Sequence, residues 1–145
     1  MAFGDGRHAG LPWLQEMPDP MTTASWHTWV EINPKTAKQM GVQTHDLVLI
    51  ESPVGSLEAS VYVYPGIRPD VLAVPVGQGH TELGRYGKNW GANVFEVMTD
   101  LADERAEQLA WASTRVRVTK TGQQHILPLL ESNIGVDKFR RATLE

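Results

Sequence analysis

Two apolar runs joined by a tight turn restrict this chain more than any other feature. Asp46 to Ser52 reads DLVLIES and Leu57 to Tyr64 reads LEASVYVY, with Pro53-Val54-Gly55-Ser56 between them. Side chains of a strand alternate between its two faces, so the second run puts Leu57, Ala59, Val61 and Val63 on one side and Glu58, Ser60, Tyr62 and Tyr64 on the other. The first run reads as a buried strand, and the two together predict a hairpin. Upstream, WHTWVEIN from Trp26 reads as another strand, followed by Asn33-Pro34 and, eight residues after the asparagine, Gly41. Asparagine caps a helix start, proline suits its first position and glycine its end, which predicts a short helix over 34–40. Seven residues are too few to cover a parallel sheet well, which argues against a doubly wound fold.

Downstream, Val71 to Val76 (VLAVPV) predicts a strand whose pairing fails at Pro75, and Arg115 to Lys120 (RVRVTK) a final strand. Val94 to Met98 fits a short strand or a helical turn. Asp103 to Trp111 has helical propensity, with its acids at the front. About five short strands with one or two short helices predict a mainly β fold, a compact β barrel with extended N- and C-terminal segments. The expected organisation is an extended arm over 1–23 anchored by Trp13, the barrel over 24–122, and a tail over 123–145. In that tail Ile126, Leu127, Leu129 and Leu130 dock on the body and 138–145 fray.

The 145 residues include no cysteine, which leaves no disulfide framework, no iron–sulfur ligands and no thiol nucleophile. A net charge of −4 without a basic stripe argues against nucleic acid as a partner. No apolar run approaches membrane-spanning length and the first residues lack the apolar core of a secretory signal, so direct membrane insertion is not expected. The five histidines show no metal-ligand spacing, and the serines sit in no nucleophile-elbow context.

Val76 to Asn93 (VGQGHTELGRYGKNWGAN) carries five of the thirteen glycines. Clustered glycine indicates positive φ angles or a close approach to the backbone by another group. Around these glycines stand Arg85, a planar fork for phosphate, and His80, Asn89 and Asn93, which can pair with a heterocycle. Trp90 is the one tryptophan placed as a contact candidate. The other reading of the same residues is a long surface loop whose glycines serve only turns. The run Gly77-Gln78-Gly79-His80 is neither a dinucleotide fingerprint nor a Walker loop.

Taken together, Asp5 to Thr22 (DGRHAGLPWLQEMPDPMT), Trp29 to Val42 (WVEINPKTAKQMGV), Asp46 to His80 and Gly84 to Asn93 (GRYGKNWGAN) resemble the C-terminal molybdopterin-dinucleotide-binding domain of the dimethyl-sulfoxide-reductase superfamily. The nearest branch is that of polysulfide and tetrathionate reductase-like enzymes and the large iron–sulfur subunit of alternative complex III. The resemblance implies a double-psi β barrel. It implies that Trp13, Leu14, Gln15 and Glu16 line one side of a crevice for molybdopterin guanine dinucleotide. Gly77, Gln78, Gly79, His80, Gly84, Arg85, Tyr86, Gly91 and Asn93 would line the other. Catalytic residues and metal ligands are not expected in this chain, because in the family they belong to earlier domains. The implied partner is a larger iron–sulfur, molybdopterin-type subunit, and the resemblance extends to membrane-bound electron-transfer complexes. The chain itself would be cytoplasmic or peripherally attached to such a complex. Two alternatives stand beside this reading: a cofactor-free structural subunit of an alternative-complex-III-like quinol oxidoreductase, and a freestanding small-ligand-binding barrel.

Overall fold

The computed structural model describes residues 3–130 except 106. Its centre is the hairpin: β2 (Asp46–Glu51) pairs antiparallel with β3 (Ser56–Val63), with Ile50 opposite Leu57 and Val48 opposite Ala59. Ser52 closes the turn, its amide donating to Gly55 O at 2.8 Å. β1 (Trp29–Ile32) runs parallel to the far side of β3, and β4 (Leu72–Ala73) pairs antiparallel with β1. β7 (Arg117–Gln124) covers the free edge of β2, giving a mixed sheet in the order β4-β1-β3-β2-β7.

Between β1 and β2 lies α2 (Pro34–Met40), built as its sequence signals require. The Asn33 side chain accepts from Lys35 N at 2.9 Å, and Gly41 ends the helix at φ 65°. The Val42 amide returns to Ala37 O at 3.0 Å. Ala37 and Val42 then join Val30, Ile32, Val48, Ile50, Ala59 and Val61 in the main core, which the 3₁₀ turn Val94–Val97 closes from the loop side. Each valine or isoleucine side chain among them taken out of water stabilises by about 1.5–3 kcal/mol. A second, smaller core joins Ala24, Trp29 and Leu127.

The mainly β class with few short helices is what the described residues form: three short α segments and two 3₁₀ turns beside the strands. Several details differ from expectation. DLVLIES is not buried throughout; Asp46, Val48 and Ile50 are buried and the residues between are only partly covered. Ser60, expected outward, is buried, since His125 folds over it. β4 spans two residues rather than six, its pairing ending before Pro75.

The stretch expected to be a helix over 103–111 is a two-stranded ribbon, β5 (Ala102–Asp103) with β6 (Gln108–Leu109), followed by a 3₁₀ turn at Trp111–Ser113. Its described residues are almost all exposed, so no packed apolar face repays the cost of nucleating a helix. The final strand, expected over Arg115 to Lys120, is β7 at Arg117–Gln124. In the tail Leu127 and Leu129 dock, whereas Ile126 and Leu130 are exposed. The expected fraying of 138–145 lies outside the described residues.

The arm is not extended either. It is a series of turns with one helical turn, α1 (Pro12–Gln15), and its anchor is Phe3, fully buried, rather than Trp13, which is 64% exposed. Pro12 at the first position and the short amide bonds from Leu14 and Gln15 back to Leu11 O fold it locally.

Candidate functional site

The glycine loop leaves β4 and is held at its base by two amides. The Gln78 side chain donates to Trp26 O at 2.6 Å and to Gln15 Oε1 at 2.7 Å. The Gln15 side chain donates to Ala9 O at 2.7 Å, with longer contacts to Gln78 Oε1 and Tyr86 O. Both side chains are buried, so the pair bolts arm to loop with almost every donor and acceptor matched. Thr28 makes a second clamp, its hydroxyl accepting from Ala92 N at 2.9 Å and donating to Ala92 O at 3.2 Å.

Most of the loop glycines meet this chain's own atoms. At Gly79, φ is 87° and the amide donates to Trp90 O at 2.8 Å; a Cβ there would collide with the Asn93 backbone. Gly77 packs on Phe3 and Gly6, Gly87 on Leu83, and Gly91 on Thr28 and Gln78. Gly84 alone of the five has open space around it, and it starts α3 (Gly84–Gly87).

Two clefts flank the strip Asn89, Gly91 and Ala92. One, of about 350 Å³, is lined by Gly79, His80, Thr81, Asn93, Leu57 and Glu96 in addition to that strip. His80 contributes the described residues' one buried side-chain polar atom without a partner, Nε2. That nitrogen packs against the arm, 2.7 Å from where a Cβ on Gly6 would stand, so the ring wedges arm against loop while the rest of the residue lines the cleft. Asn93 already uses its carbonyl oxygen to cap the 3₁₀ turn, accepting from Phe95 N at 3.2 Å, which leaves its amide NH₂ free to donate. Arg85, exposed on α3, lies 5.4 Å from the Tyr86 ring and has no carboxylate partner among the described residues.

The second cleft, about 470 Å³, is walled by His27, Thr28, Ser60, Gln124 and His125 and opens past Glu58. His27 stands edge-on to His125, with centroids 4.2 Å apart, and 5.2 Å from the Trp90 ring. Burial pushes the His27 imidazole down to about 4, and neighbouring His125 adds to the effect. Trp90 itself packs on Trp26 at 4.9 Å rather than lining either cleft.

Of the thirteen residues the resemblance nominated, Gly79, His80, Gly91 and Asn93 share the first cleft. Gly84, Arg85 and Tyr86 stand exposed on α3 beside the loop. Gln15, Gln78 and Gly77 lie beneath, inside the bolt between arm and loop. Trp13 and Glu16 face solvent and Leu14 is partly buried. The arm and the loop therefore touch directly at Gln15 and Gln78 instead of facing each other across a gap.

The residues sequence reasoning missed are Thr28, Ser60, His27 and His125. Thr28 and Ser60 carry no local signal, being ordinary members of strand-like runs. A histidine standing alone beside apolar residues, at 27 and again at 125, is the only trace of the second cleft.

A family profile described as "Molydopterin dinucleotide binding domain" matches residues 13–111. The chain is 34% identical over 130 residues, 80% of its length, to the molybdopterin-containing subunit of arsenate respiratory reductase from Shewanella sp. strain ANA-3. It is 28% identical over 63% of its length to the molybdopterin-binding-like subunit of menaquinone reductase from Nitratidesulfovibrio vulgaris. These matches span only 14% and 13% of the two relatives. Among solved structures, acetylene hydratase from Pelobacter acetylenicus shares the fold, with a TM-score of 0.51 at 19% identity over 64% of this chain and 14% of that one. The profile match across two thirds of the sequence, with a relative 34% identical over 80% of it, carries one assignment: the chain belongs to the molybdopterin dinucleotide-binding domain family.

Proposed function

We propose that this chain forms one wall of a molybdopterin guanine dinucleotide site in a larger oxidoreductase. The observation that carries the reading is the cleft that His80, Gly79, Asn89, Gly91 and Asn93 line together, with the Asn93 amide NH₂ uncommitted among the described residues and Arg85 exposed on α3 of the same loop. In this reading His80 and the free Asn93 amide orient a heterocycle or its linker, and Arg85 pairs with a phosphate. The cofactor, when bound, supplies the redox chemistry; this chain's residues position it and exclude water. Each cleft is the size of a drug-like site, too small to enclose a dinucleotide, so the remaining wall comes from other protein.

That other protein is a larger iron–sulfur, molybdopterin-type chain, or an earlier part of the same polypeptide. The chain's match to about one seventh of its relatives supports this, as do the exposed apolar side chains Trp13, Met17 and Met21 on the arm. Neither this chain alone nor its clefts would catalyse. The assembly is an electron-transfer complex, cytoplasmic or attached peripherally to a membrane; among the described residues no helix is long and apolar enough to cross one.

A second reading, a cofactor-free structural subunit of a quinol oxidoreductase, rests on one observation: the loop glycines other than Gly84 are occupied by the chain's own atoms. Purification of the native complex through a tag on this chain, with assay for molybdenum and oxidised pterin, separates the two. Stoichiometric pterin that falls at least tenfold in Arg85→Ala and His80→Ala supports the cofactor wall. A large partner recovered without pterin overturns it and favours the structural role.

A further inference from the structure

The described end of the chain, His125 to Leu130, returns across the sheet and is tied to the segment that leads into β1. Ser25 N donates to Pro128 O and Leu130 N to Thr23 O, each at 3.1 Å, and Ala24 bridges Leu129 in antiparallel fashion. Leu127 is buried between Ala24 and Trp29. At its start, this returning segment hangs on histidines. His125 N donates to His45 O at 2.9 Å, and Leu127 N donates to His45 Nδ1 at 3.1 Å.

An imidazole nitrogen accepts a hydrogen bond only when it carries no proton, so the Leu127 bond exists only with His45 neutral and its hydrogen on Nε2. The His125 ring, held to Ser60 Oγ at 3.0 Å through Nδ1, stands 4.2 Å from His27; two imidazolium ions at that spacing would repel in a partly desolvated place. The charged groups around them offer little compensation. Glu58, from β3, lines the same cleft but is exposed to solvent. Asp46, next to His45, is already engaged by Lys120 Nζ at 2.8 Å and Gln124 Nε2 at 3.0 Å, both from β7. From the glycine loop come only the uncharged Asn89, Gly91, Ala92 and the Trp90 ring, and from the segment before β1 the uncharged Thr28.

We propose that His45, which accepts the Leu127 amide, and His27, packed edge-on against the His125 ring, make the tail a proton-released latch, closed while both are neutral and opening, with the sheet intact, as they take up protons. Burial lowers both His27 and His45 below the ordinary histidine value in the closed form. In the open form they return toward about 6.5. Between roughly pH 6.5 and the lower closed-form values the open form therefore binds more protons, so the latch is at full strength above that window and weakens as pH falls through it.

Amide hydrogen exchange on the full chain at pH 7.5 and 5.0, corrected for intrinsic exchange, tests this. Protection of the Ser25, Leu127 and Leu130 amides should drop about tenfold at the lower pH while amides of the β2–β3 hairpin change less than twofold. His45→Asn keeps an acceptor that does not titrate and suits the backbone there, where φ is 78°. Combined with His27→Gln it should cut the drop to threefold or less. Unchanged protection in the native chain overturns the latch, as does an equal drop in the double variant or a drop shared by the hairpin. If the double variant does not fold, imidazole titration of the native chain by NMR decides. His27 and His45 titrating below 6 supports the latch, and either of them titrating near 6.5 sinks it.

Discussion

The β2–β3 hairpin and the glycine loop sit side by side and hold their shapes by opposite means. In the hairpin, Val48, Ile50, Leu57, Ala59 and Val61 turn inward from alternate ladder positions and share one core with α2. No single contact there is indispensable to the path of the backbone, because ladder and apolar face agree residue by residue. The loop has few apolar residues to bury. Its path depends on single polar contacts, the Gln15–Gln78 pair and the Thr28 clamp, and on glycines where the chain crosses itself. A periodic core spreads the cost of any one change, whereas a polar bolt concentrates it locally.

Substitutions on each side can break or sharpen that contrast. The largest loss is expected for Ile50→Ala, at 2% exposure a fully packed core position: about 2–5 kcal/mol in chemical denaturation, with exchange protection falling throughout the sheet and loop together. Next comes Gln78→Ala, which leaves the Gln15 amide and Trp26 O short of partners. The expected loss is about 1–3 kcal/mol, with protection falling in the loop and arm but not in β2 and β3. Replacing both glutamines by leucine should recover part of that loss; if it costs the sum of the single changes, the pair is not a unit. The smallest effect belongs to Gly84→Ala. Its φ of 64° disfavours a side chain, but nothing lies within 4 Å of the new methyl, so about 1 kcal/mol is expected from thermal unfolding. A loss above 3 kcal/mol would mean that Gly84 is packed as tightly as its neighbours.

The same contrast explains what could be read before the structure was known. α2 was legible because Asn33, Pro34 and Gly41 each act within a few residues of their own position, and the hairpin because alternation and turn agree. The glycine stretch announced a special loop, yet its sequence did not say whether a ligand or the chain itself approaches the glycines. The partner that decides this, Gln15 against Gln78, lies 63 residues away. Local propensity misled at Asp103 to Trp111, where good helix formers have nothing to pack against and adopt a ribbon instead. Of the candidate site, His80 and Asn93 belong to the glycine stretch that the sequence singles out and line one cleft, while the His27–His125 wall depends on a return of the tail that no short-range pattern encodes.

The position of β7 also bears on how the chain reaches its native state. The hairpin closes between neighbouring residues, but β7 joins β2 with Asp46 and Gln124 separated by 78 residues, and β1 meets β3 only after α2 and β2 have been laid down between them. Contacts that enclose long loops form late and slowly. During synthesis the edge of β2 therefore stays unpaired until the chain beyond Gln124 has left the ribosome, a window in which that edge is open to pairing with another strand.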